Sequence, residues 1–316
     1  MLKGTGLPKG GLMSLRSGRR VLRATLGVVL LVLITGSALG AASLRDHLIA
    51  LTDQEFQQVQ EKARHGDRNS MAMMALAYDE AIHVQRDDVQ AATWYRKLAL
   101  MGDYQGQHKL ALFCEQGRGV PQSYTEAIFW YRKAAAMGYV PSQVNLGNIY
   151  LAGKGVRPDY EEAAKWYQVA AQQGDAQAED NIGYMYDTGR GVVQDYAQAV
   201  YWYRKSAEQG DGFGMNNLGV MYLHGRGVAF DETEAMRWFD EAVAKGEARA
   251  YTNKALVYMY GIRTRHDYSM AYRMLLQATA GGDLDAKNLL EKCRAELSKA
   301  QLEETEQAFP ARPEEH

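Results

Sequence analysis

The residue types that most often carry out chemistry are few in this sequence and do not form catalytic or metal-binding patterns. The seven histidines include no pair four residues apart and no His-Glu-x-x-His motif, the spacing that brings two imidazoles to one zinc ion. No serine stands in Gly-x-Ser-x-Gly, and none is followed three residues later by lysine, so two common serine-nucleophile motifs are missing. The sequence therefore predicts no catalytic residue, no metal site and no cofactor.

A glycine pair followed by valine occurs four times and could suggest a phosphate-binding loop. The Gly-x-Gly-Val segments begin at Gly117, Gly153, Gly189 and Gly225. A phosphate loop of this kind follows a β-strand inside a βαβ unit, whereas these segments follow stretches with helical periodicity. Their constant interval of 36 residues indicates a structural turn in a repeated unit.

The interval of 36 residues is present throughout most of the chain. All five tryptophans lie in one column of this repeat, which consists of Trp94, Trp130, Trp166, Trp202 and Trp238. Another column contains glycine in seven successive units, from Gly66 to Gly282. A repeat of this length is typical of a solenoid, in which each unit buries its apolar side against its neighbours.

Each repeat contains two segments with helical periodicity, called here helix A and helix B. In the third repeat the apolar face of helix A consists of Ser142, Leu146, Ile149 and Tyr150, and that of helix B consists of Ala163, Trp166, Tyr167, Ala170 and Ala171. Asp159 lies where helix B should be capped, Gly174 where it should end, and Asp175 where the next helix A should begin. The repeat is predicted to be a helical hairpin.

The recurring motifs resemble those of the Sel1-like repeat family, which is related to the tetratricopeptide repeat. The third repeat reads LGNIYLAGKGV and then DYEEAAKWYQVAAQQGD, and near copies recur over about residues 68–283. The resemblance implies an all-α fold, an α/α superhelical solenoid of six 36-residue hairpins. It also implies a protein-interaction scaffold of the kind often found at membranes or cell envelopes.

The segments outside the repeats are predicted to be a leader, two end caps and a tail. Residues 43–67 resemble a helix B without its helix A and should form an N-terminal capping helix, because a solenoid needs a polar end. Residues 284–306 should form a C-terminal capping helix. Residues 307–316 contain too few apolar side chains to offset the entropy of ordering and should be disordered.

Residues 1–42 have the layout of an export signal. Six basic residues and no acidic ones precede an apolar run and a stretch of small residues. Cleavage after Gly40 is one interpretation, with Met1 or Met13 as the start. The other is an uncleaved anchor in the inner membrane, since residues 24–42 approach the ~20 residues that cross a bilayer. Both predict repeats delivered to the bacterial periplasm, either soluble or anchored.

The charge of the remaining chain opposes binding to nucleic acid. Residues 1–42 contain six of the 36 basic residues and none of the 38 acidic ones, so the rest has 30 basic and 38 acidic residues, a formal charge of −8. Nonspecific nucleic-acid binding requires an excess of basic groups. The cysteines, Cys114 and Cys293, lie five repeats apart, too far for a disulfide within the chain, and are expected to be small buried apolar residues.

Three Arg-Lys pairs follow the aromatic pair of helix B. They are Arg96-Lys97, Arg132-Lys133 and Arg204-Lys205. They could form a solvated outer face or a basic stripe that binds an acidic partner. Both interpretations stay open, and the fifth repeat has Asp240-Glu241 at the same positions.

The side of helix A that points away from the stack is the best candidate for binding a partner. At 100° per residue, the columns of Val144, Asn148 and Leu151 should face away from the stack, and that of Asn145 should lie at the edge. An asparagine amide both donates and accepts hydrogen bonds, which suits capture of a peptide backbone. The candidate partner-binding residues are His108, Asn145, Asn148, Asp180, Asn181, Tyr184, Asp187, Asn217 and Asn253. The alternative is that each asparagine bonds to the next hairpin or to its own loop.

The sequence thus predicts a non-catalytic scaffold of the cell envelope that binds a protein or peptide in a groove lined by the A helices. The rival hypothesis is an envelope enzyme or ligand-binding protein that acts on cell-wall or β-lactam compounds. It rests on the resemblance alone, since some Sel1-like proteins have been credited with such activity.

Overall fold

The computed structural model describes residues 41–261 and 266–308, which form sixteen helices and no strand. The prediction of an all-α solenoid of helical hairpins is confirmed. The described residues divide into two compact units, one ending at Asp87 and the other beginning at Asp88. No helix among the described residues is long and apolar enough to cross a membrane. The predicted signal or anchor lies outside them, except that residues 41 and 42 begin the first helix.

The first unit contains three helices, which are α1 (Ala41–Ile49), α2 (Asp53–Arg64) and α3 (Arg68–Glu80). The second unit contains thirteen, which are α4 (Asp88–Leu100), α5 (Tyr104–Gln116), α6 (Tyr124–Ala136), α7 (Val140–Ala152), α8 (Tyr160–Gln172), α9 (Ala176–Thr188), α10 (Tyr196–Glu208), α11 (Gly212–His224), α12 (Glu232–Ala244), α13 (Ala248–Tyr260), α14 (Tyr268–Ala280), α15 (Leu284–Ala295) and α16 (Lys299–Ala308). In repeats two to six the A helices are the odd-numbered α5–α13, and the B helices are the even-numbered α6–α14.

The helix ends are set by residues that the repeat provides. The side chain of Asp159 caps α8 by accepting a hydrogen bond from the Glu162 amide, and Asp175 caps α9 in the same way through Ala178. Gly174 has φ +85°, which a residue without Cβ adopts at little cost. These three predicted end signals are therefore confirmed.

The aromatic columns of helix B fill the interior, as predicted. Trp94, Trp130, Trp202 and Trp238 are buried, while Trp166 is partly buried and donates from Nε1 to Glu162. The next column is buried more completely, and in repeats two to five it consists of Tyr131, Tyr167, Tyr203 and Phe239. A buried aromatic ring removes roughly 150–250 Å² from water, so these rings contribute most of the apolar contact between successive helices.

Both end segments contain two helices, whereas the sequence interpretation placed one in each. In residues 43–67 the chain breaks before Thr52, which forms a reciprocal cap with Glu55 and begins α2. In residues 284–306 the break precedes Ser298, which forms the same kind of cap with Gln301 and begins α16. Both breaks carry the Ser/Thr-x-x-Glu/Gln signature of a helix start. The single-helix predictions overlooked this signal.

The first repeat keeps the loop geometry of the others without its glycines. Ala81 and His83 replace them, and both have φ +59°, in the left-handed region. His83 stacks on Phe56 with ring centroids 4.8 Å apart, and its Nε2 lies 2.8 Å from the Leu48 carbonyl oxygen. These contacts hold His83 in place within the first unit, whereas Ala81 is exposed and has no side chain to compensate.

Replacing Ala81 with glycine is expected to stabilise the first unit. The left-handed conformation costs an L-residue about 1–2 kcal/mol, part of which is offset by the larger entropy of unfolded glycine, so a gain of about 0.5–1 kcal/mol is expected. Amide hydrogen exchange in α3 measures it. Ala72→Gly, inside the same helix, is the control and should lower stability by about 1 kcal/mol. Equal effects of the two substitutions would contradict the assignment of strain to Ala81.

Candidate partner-binding face on the A helices

One side of the A helices in repeats two to six remains partly exposed. We call it the A-helix face and define it by the columns of Asn145 and Asn148, which lie three residues apart on the helix surface. Its members are Lys109, Leu112, Asn145, Asn148, Asn181, Tyr184, Asn217, Val220, Asn253 and Leu256. All ten are partly exposed, unlike the neighbouring stacking column, in which Ser142, Ala178 and Ala250 are fully buried.

The neighbouring column of Val144 lies deeper than the sequence predicted. His108, Val144, Asn216 and Thr252 are buried in it, and only Asp180 is partly exposed in repeats two to six. The prediction that this column faces away from the stack is therefore wrong. Successive A helices lie side by side, and this column lies where each helix meets the next.

His108 shows what this burial does to a candidate binding residue. Its Nδ1 lies 2.9 Å from Ser142 Oγ, and its ring lies against those of Tyr131 and Tyr139. Burial lowers the pKa of His108 to about 4, with a smaller contribution from Lys109. The side chain is a neutral internal group and is not accessible to a partner.

Two asparagines of the A-helix face bond across to the preceding repeat. Asn253 Nδ2 donates to Asn216 Oδ1 at 2.7 Å, and Asn217 Nδ2 donates to Asp180 Oδ1 at 2.8 Å. In both pairs the donor lies 37 residues after the acceptor. The structural alternative, in which these amides join neighbouring hairpins, is therefore correct for Asn217 and Asn253.

Asn181 lacks such a bond because its acceptor is missing. The residue 37 positions earlier is Val144, which has no side-chain oxygen. The Nδ2 atom of Asn181 is buried and has no hydrogen-bond partner. An amide donor in this state costs about 1–3 kcal/mol unless another group reaches it. Asn145 differs again, because it bonds to the hydroxyl of Tyr131.

The A helices also provide acceptors for the buried tyrosines of helix B. Tyr131 donates to Glu115 at 2.9 Å, and Tyr167 donates to Asn148 at 2.7 Å. The side-chain oxygen of Asn148 is therefore already occupied by a hydrogen bond within its own hairpin. Repeats five and six have only apolar residues at the columns of Asn148 and Leu151, and there the tyrosine is replaced by Phe239 and Leu275. This correlation was present in the sequence and could have revealed the pairing.

Two carboxylates, Asp180 and Asp187, lie beside the A-helix face in the fourth repeat. Burial raises the pKa of Asp180 to about 7, although the bond from Asn217 opposes the rise, and Asp211 and Glu247 add to it. Burial also raises the pKa of Asp187, against the attraction of Arg226, whose Nη1 is 3.9 Å away. The Oδ1 atom of Asp187 is buried without a hydrogen bond.

Tyr184 lies on the same helix as these carboxylates and Asn181. Its ring is partly exposed, and the Arg190 guanidinium lies 5.8 Å from the ring centroid. The structure thus brings Asn181, Tyr184, Asp180 and Asp187 together on α9. Asn217 joins them through its bond to Asp180, whereas His108, Asn145, Asn148 and Asn253 lie on other repeats.

The two cysteines lie in the interior of the fold. Cys114 and Cys293 are buried free thiols, as predicted, and burial raises the pKa of each to about 11. Among the described residues, no three His, Cys, Asp or Glu side chains come close enough together to hold a metal ion. The A-helix face presents asparagine amides, apolar side chains, one lysine and one tyrosine ring, with the carboxylates of Asp180 and Asp187 beside it.

Comparisons with known proteins agree with this architecture. The crystal structure of c5321, a protective antigen of uropathogenic Escherichia coli with an SLR fold, is similar with 32% identity and a TM-score of 0.69 over 80% of this chain. The match spans 55% of c5321, about half its length. A Sel1 repeat protein from Oxalobacter formigenes is 30% identical with a TM-score of 0.60, covering 67% of this chain and 85% of that one. No curated protein sequence matches the chain.

The repeats themselves match a family model, the Sel1 repeat, over most of the described residues. The matched segments are 69–103, 105–139, 140–175, 176–211, 212–247 and 248–283. Their boundaries follow the helical hairpins, with each segment holding one helix A and one helix B. This chain therefore belongs to the Sel1-repeat family.

Proposed function

We propose that this protein is a non-catalytic scaffold of the bacterial envelope that binds a protein or peptide partner on its A-helix face. Sel1-repeat proteins are generally protein-interaction scaffolds and typically have no catalytic role. The observation that carries the proposal for this chain is the unbonded amide of Asn181 beside the partly exposed ring of Tyr184.

The chemistry of this surface suits a peptide backbone. Asn181 Nδ2 is a donor without an acceptor, and Asp187 Oδ1 is an acceptor without a donor, both on α9. A peptide carries an N–H and a C=O on almost every residue, so an extended segment offers both missing partners. Tyr184, which is partly exposed between these two residues on α9, adds the aromatic anchor that binding surfaces favour.

The envelope location rests on residues 1–42, which lie almost entirely outside the described structure. Their basic, apolar and small-residue segments follow one another in the order of an export signal. Either cleavage or anchoring delivers the repeats to the periplasm, where the A-helix face would meet exported or membrane proteins.

Removing the proposed contacts should weaken partner binding without unfolding the protein. The full chain would be expressed in its native host with a photo-crosslinking residue at Tyr184, and the crosslinked protein recovered from the periplasmic or membrane fraction. Asn181→Ala combined with Tyr184→Ala should reduce affinity for that protein at least tenfold, since a buried tyrosine at an interface contributes about 2 kcal/mol or more.

Tyr201→Ala is the matched control for this experiment. Tyr201 lies on helix B of the same repeat and is half exposed, so its removal deletes a similar surface without touching the A-helix face. An equal loss of affinity in the double variant and in Tyr201→Ala would contradict the proposal. So would turnover of a β-lactam or cell-wall fragment by the purified full chain, which would favour the enzyme hypothesis instead.

A further inference from the structure

Basic and large exposed hydrophobic side chains occur together on the outer surface of the B helices in the first two repeats, and again in the fourth, where Tyr201 precedes Arg204 and Lys205. We call the part in the first two repeats the basic–apolar patch and define it by Arg96, Lys97 and Leu100 on α4, Phe129, Arg132 and Lys133 on α6, and Met137 directly after α6. An ion pair between Arg96 and Glu126, 3.5 Å long, joins these two helices directly beside the patch. Both helices belong to the second unit.

The apolar side chains of the patch are unusually exposed to solvent for their size. Leu100 is 72% exposed and Phe129 is 51% exposed, and Met137, one turn beyond Lys133, is 59% exposed. Large apolar side chains grouped on a surface mark a site that another molecule covers. The fourth repeat has Tyr201 aligned with Phe129, whereas the fifth repeat lacks the pattern, with Arg237 aligned with Phe129, Ala244 aligned with Leu100, and Asp240-Glu241 in place of the Arg-Lys pair.

The basic members lie among these apolar groups and remain largely exposed. The Lys97 Nζ atom is 3.8 Å from the centroid of the Trp94 ring, and the Lys133 Nζ atom is 5.0 Å from that of Phe129. Arg132 bonds to Glu162 at 3.2 Å, yet the side chains of Arg96 and Arg132 stay 45% and 52% exposed. Four basic groups against Glu126 and Glu162 leave the patch positive, although the chain has a small net negative charge.

We propose that the basic–apolar patch binds the surface of a bilayer that contains anionic phospholipids. Lysine and arginine reach phosphate groups while their stems and neighbouring apolar side chains enter the boundary between headgroups and acyl chains. An acidic protein would satisfy the charges but would not require exposed leucine, phenylalanine and methionine between them. This inference concerns the B helices and holds whatever the A-helix face binds.

A fluorescent label at the patch tests the proposal in the full chain. Ala136→Cys places a thiol beside the patch on α6, and Ala244→Cys places one in the same column of repeat five, where Asp240 and Glu241 replace the Arg-Lys pair. Both positions are exposed. The native thiols of Cys114 and Cys293 are buried with raised pKa values, so a polarity-sensitive dye should label the introduced cysteine selectively.

The expected result depends on the lipid. In vesicles that contain phosphatidylglycerol, the dye at position 136 should shift to shorter emission wavelength and gain protection from iodide, and the dye at 244 should not. In vesicles of phosphatidylcholine alone neither dye should respond, although the N-terminal segment could tether the chain to both vesicles. A response at 136 that is equal in both lipids, or absent in both, overturns the proposal.

Charge-reversal variants distinguish lipid binding at the patch from nonspecific electrostatic attraction by the whole chain. Lys97→Glu combined with Lys133→Glu should reduce the lipid affinity reported by the dye at 136 at least tenfold, because each basic group near an anionic surface contributes measurably to binding. Lys165→Glu combined with Lys245→Glu makes the same change in net charge on repeats three and five and should reduce it less than threefold. Similar losses in the two double variants would overturn the assignment to the patch.

Discussion

Replacing Gly191 with alanine should destabilise the repeats around it by about 3 kcal/mol or more, through strain in the left-handed region and a clash that nothing nearby can relieve. Gly191 has φ +71°, and a Cβ atom built on it would lie 2.0 Å from the carbonyl oxygen of Tyr160. That oxygen belongs to the first turn of α8, in the preceding hairpin. Backbone atoms in a packed helix cannot move aside as a flexible side chain can.

Gly174→Ala is the control that separates the clash from the strain. Gly174 has φ +85°, and a Cβ atom there would meet nothing within 4 Å. Its replacement should cost only about 1–2 kcal/mol, the penalty of the left-handed conformation. Amide hydrogen exchange in α8 to α10 measures both variants locally, which suits a repeat protein whose units unfold semi-independently. Similar losses in the two variants would show that the close approach has no energetic importance.

The fold could be predicted because its signals lie within one repeat. Gly191 and its equivalents occur at a fixed place, the tryptophans return every 36 residues, and aspartates precede the helices. Each signal reflects a local requirement, such as a positive φ, a cap or a buried ring. Six copies make each of them visible above the variation of the other positions.

The candidate site was predicted less well, because its geometry depends on how neighbouring repeats are aligned. The helical wheel of one hairpin placed the column of Val144 away from the stack. In the structure an amide on one A helix reaches an oxygen 37 residues earlier, as in the pairs from Asn217 to Asp180 and from Asn253 to Asn216. The one-residue offset from the 36-residue period is a property of packing between repeats. No single repeat encodes it, so burial of His108 and Asn216 was not foreseen.

Variation between repeats was informative where it could be read as paired changes. Val144 removes the acceptor for Asn181, and the apolar Val220 and Leu223 coincide with loss of the tyrosine hydroxyl at Phe239. The second change is compensated, since both the donor and the acceptor are gone. The change at Val144 is not compensated, because the amide of Asn181 remains without an acceptor. An uncompensated polar atom on the A-helix face is therefore a better indicator of a binding site than the asparagine column as a whole.

Asp180→Asn is expected to stabilise the protein strongly at pH 8 and hardly at all at pH 4. The folded-state pKa of Asp180 is raised from 3.8 to about 7, mainly by burial. A raised carboxyl pKa means that the folded state binds the proton more tightly than the unfolded state, so this group lowers the free energy of unfolding as pH rises from about 4 to about 7. Above pH 7 the ionised carboxylate lowers the free energy of unfolding by its full amount, roughly 2–4 kcal/mol.

Asparagine removes this penalty while keeping the contact, because its carbonyl oxygen can still accept the hydrogen bond from Asn217 Nδ2, now 2.8 Å from Asp180 Oδ1. Hydrogen exchange in α9 and α11 of both proteins between pH 4 and pH 8, corrected for the intrinsic exchange rate, gives the difference. Asp187→Asn is the control on the same helix, since the nearby Arg226 already stabilises that carboxylate and should leave a smaller pH dependence. A gain for Asp180→Asn that is as large at pH 4 as at pH 8 would mean that the charge of this carboxylate is not the destabilising element.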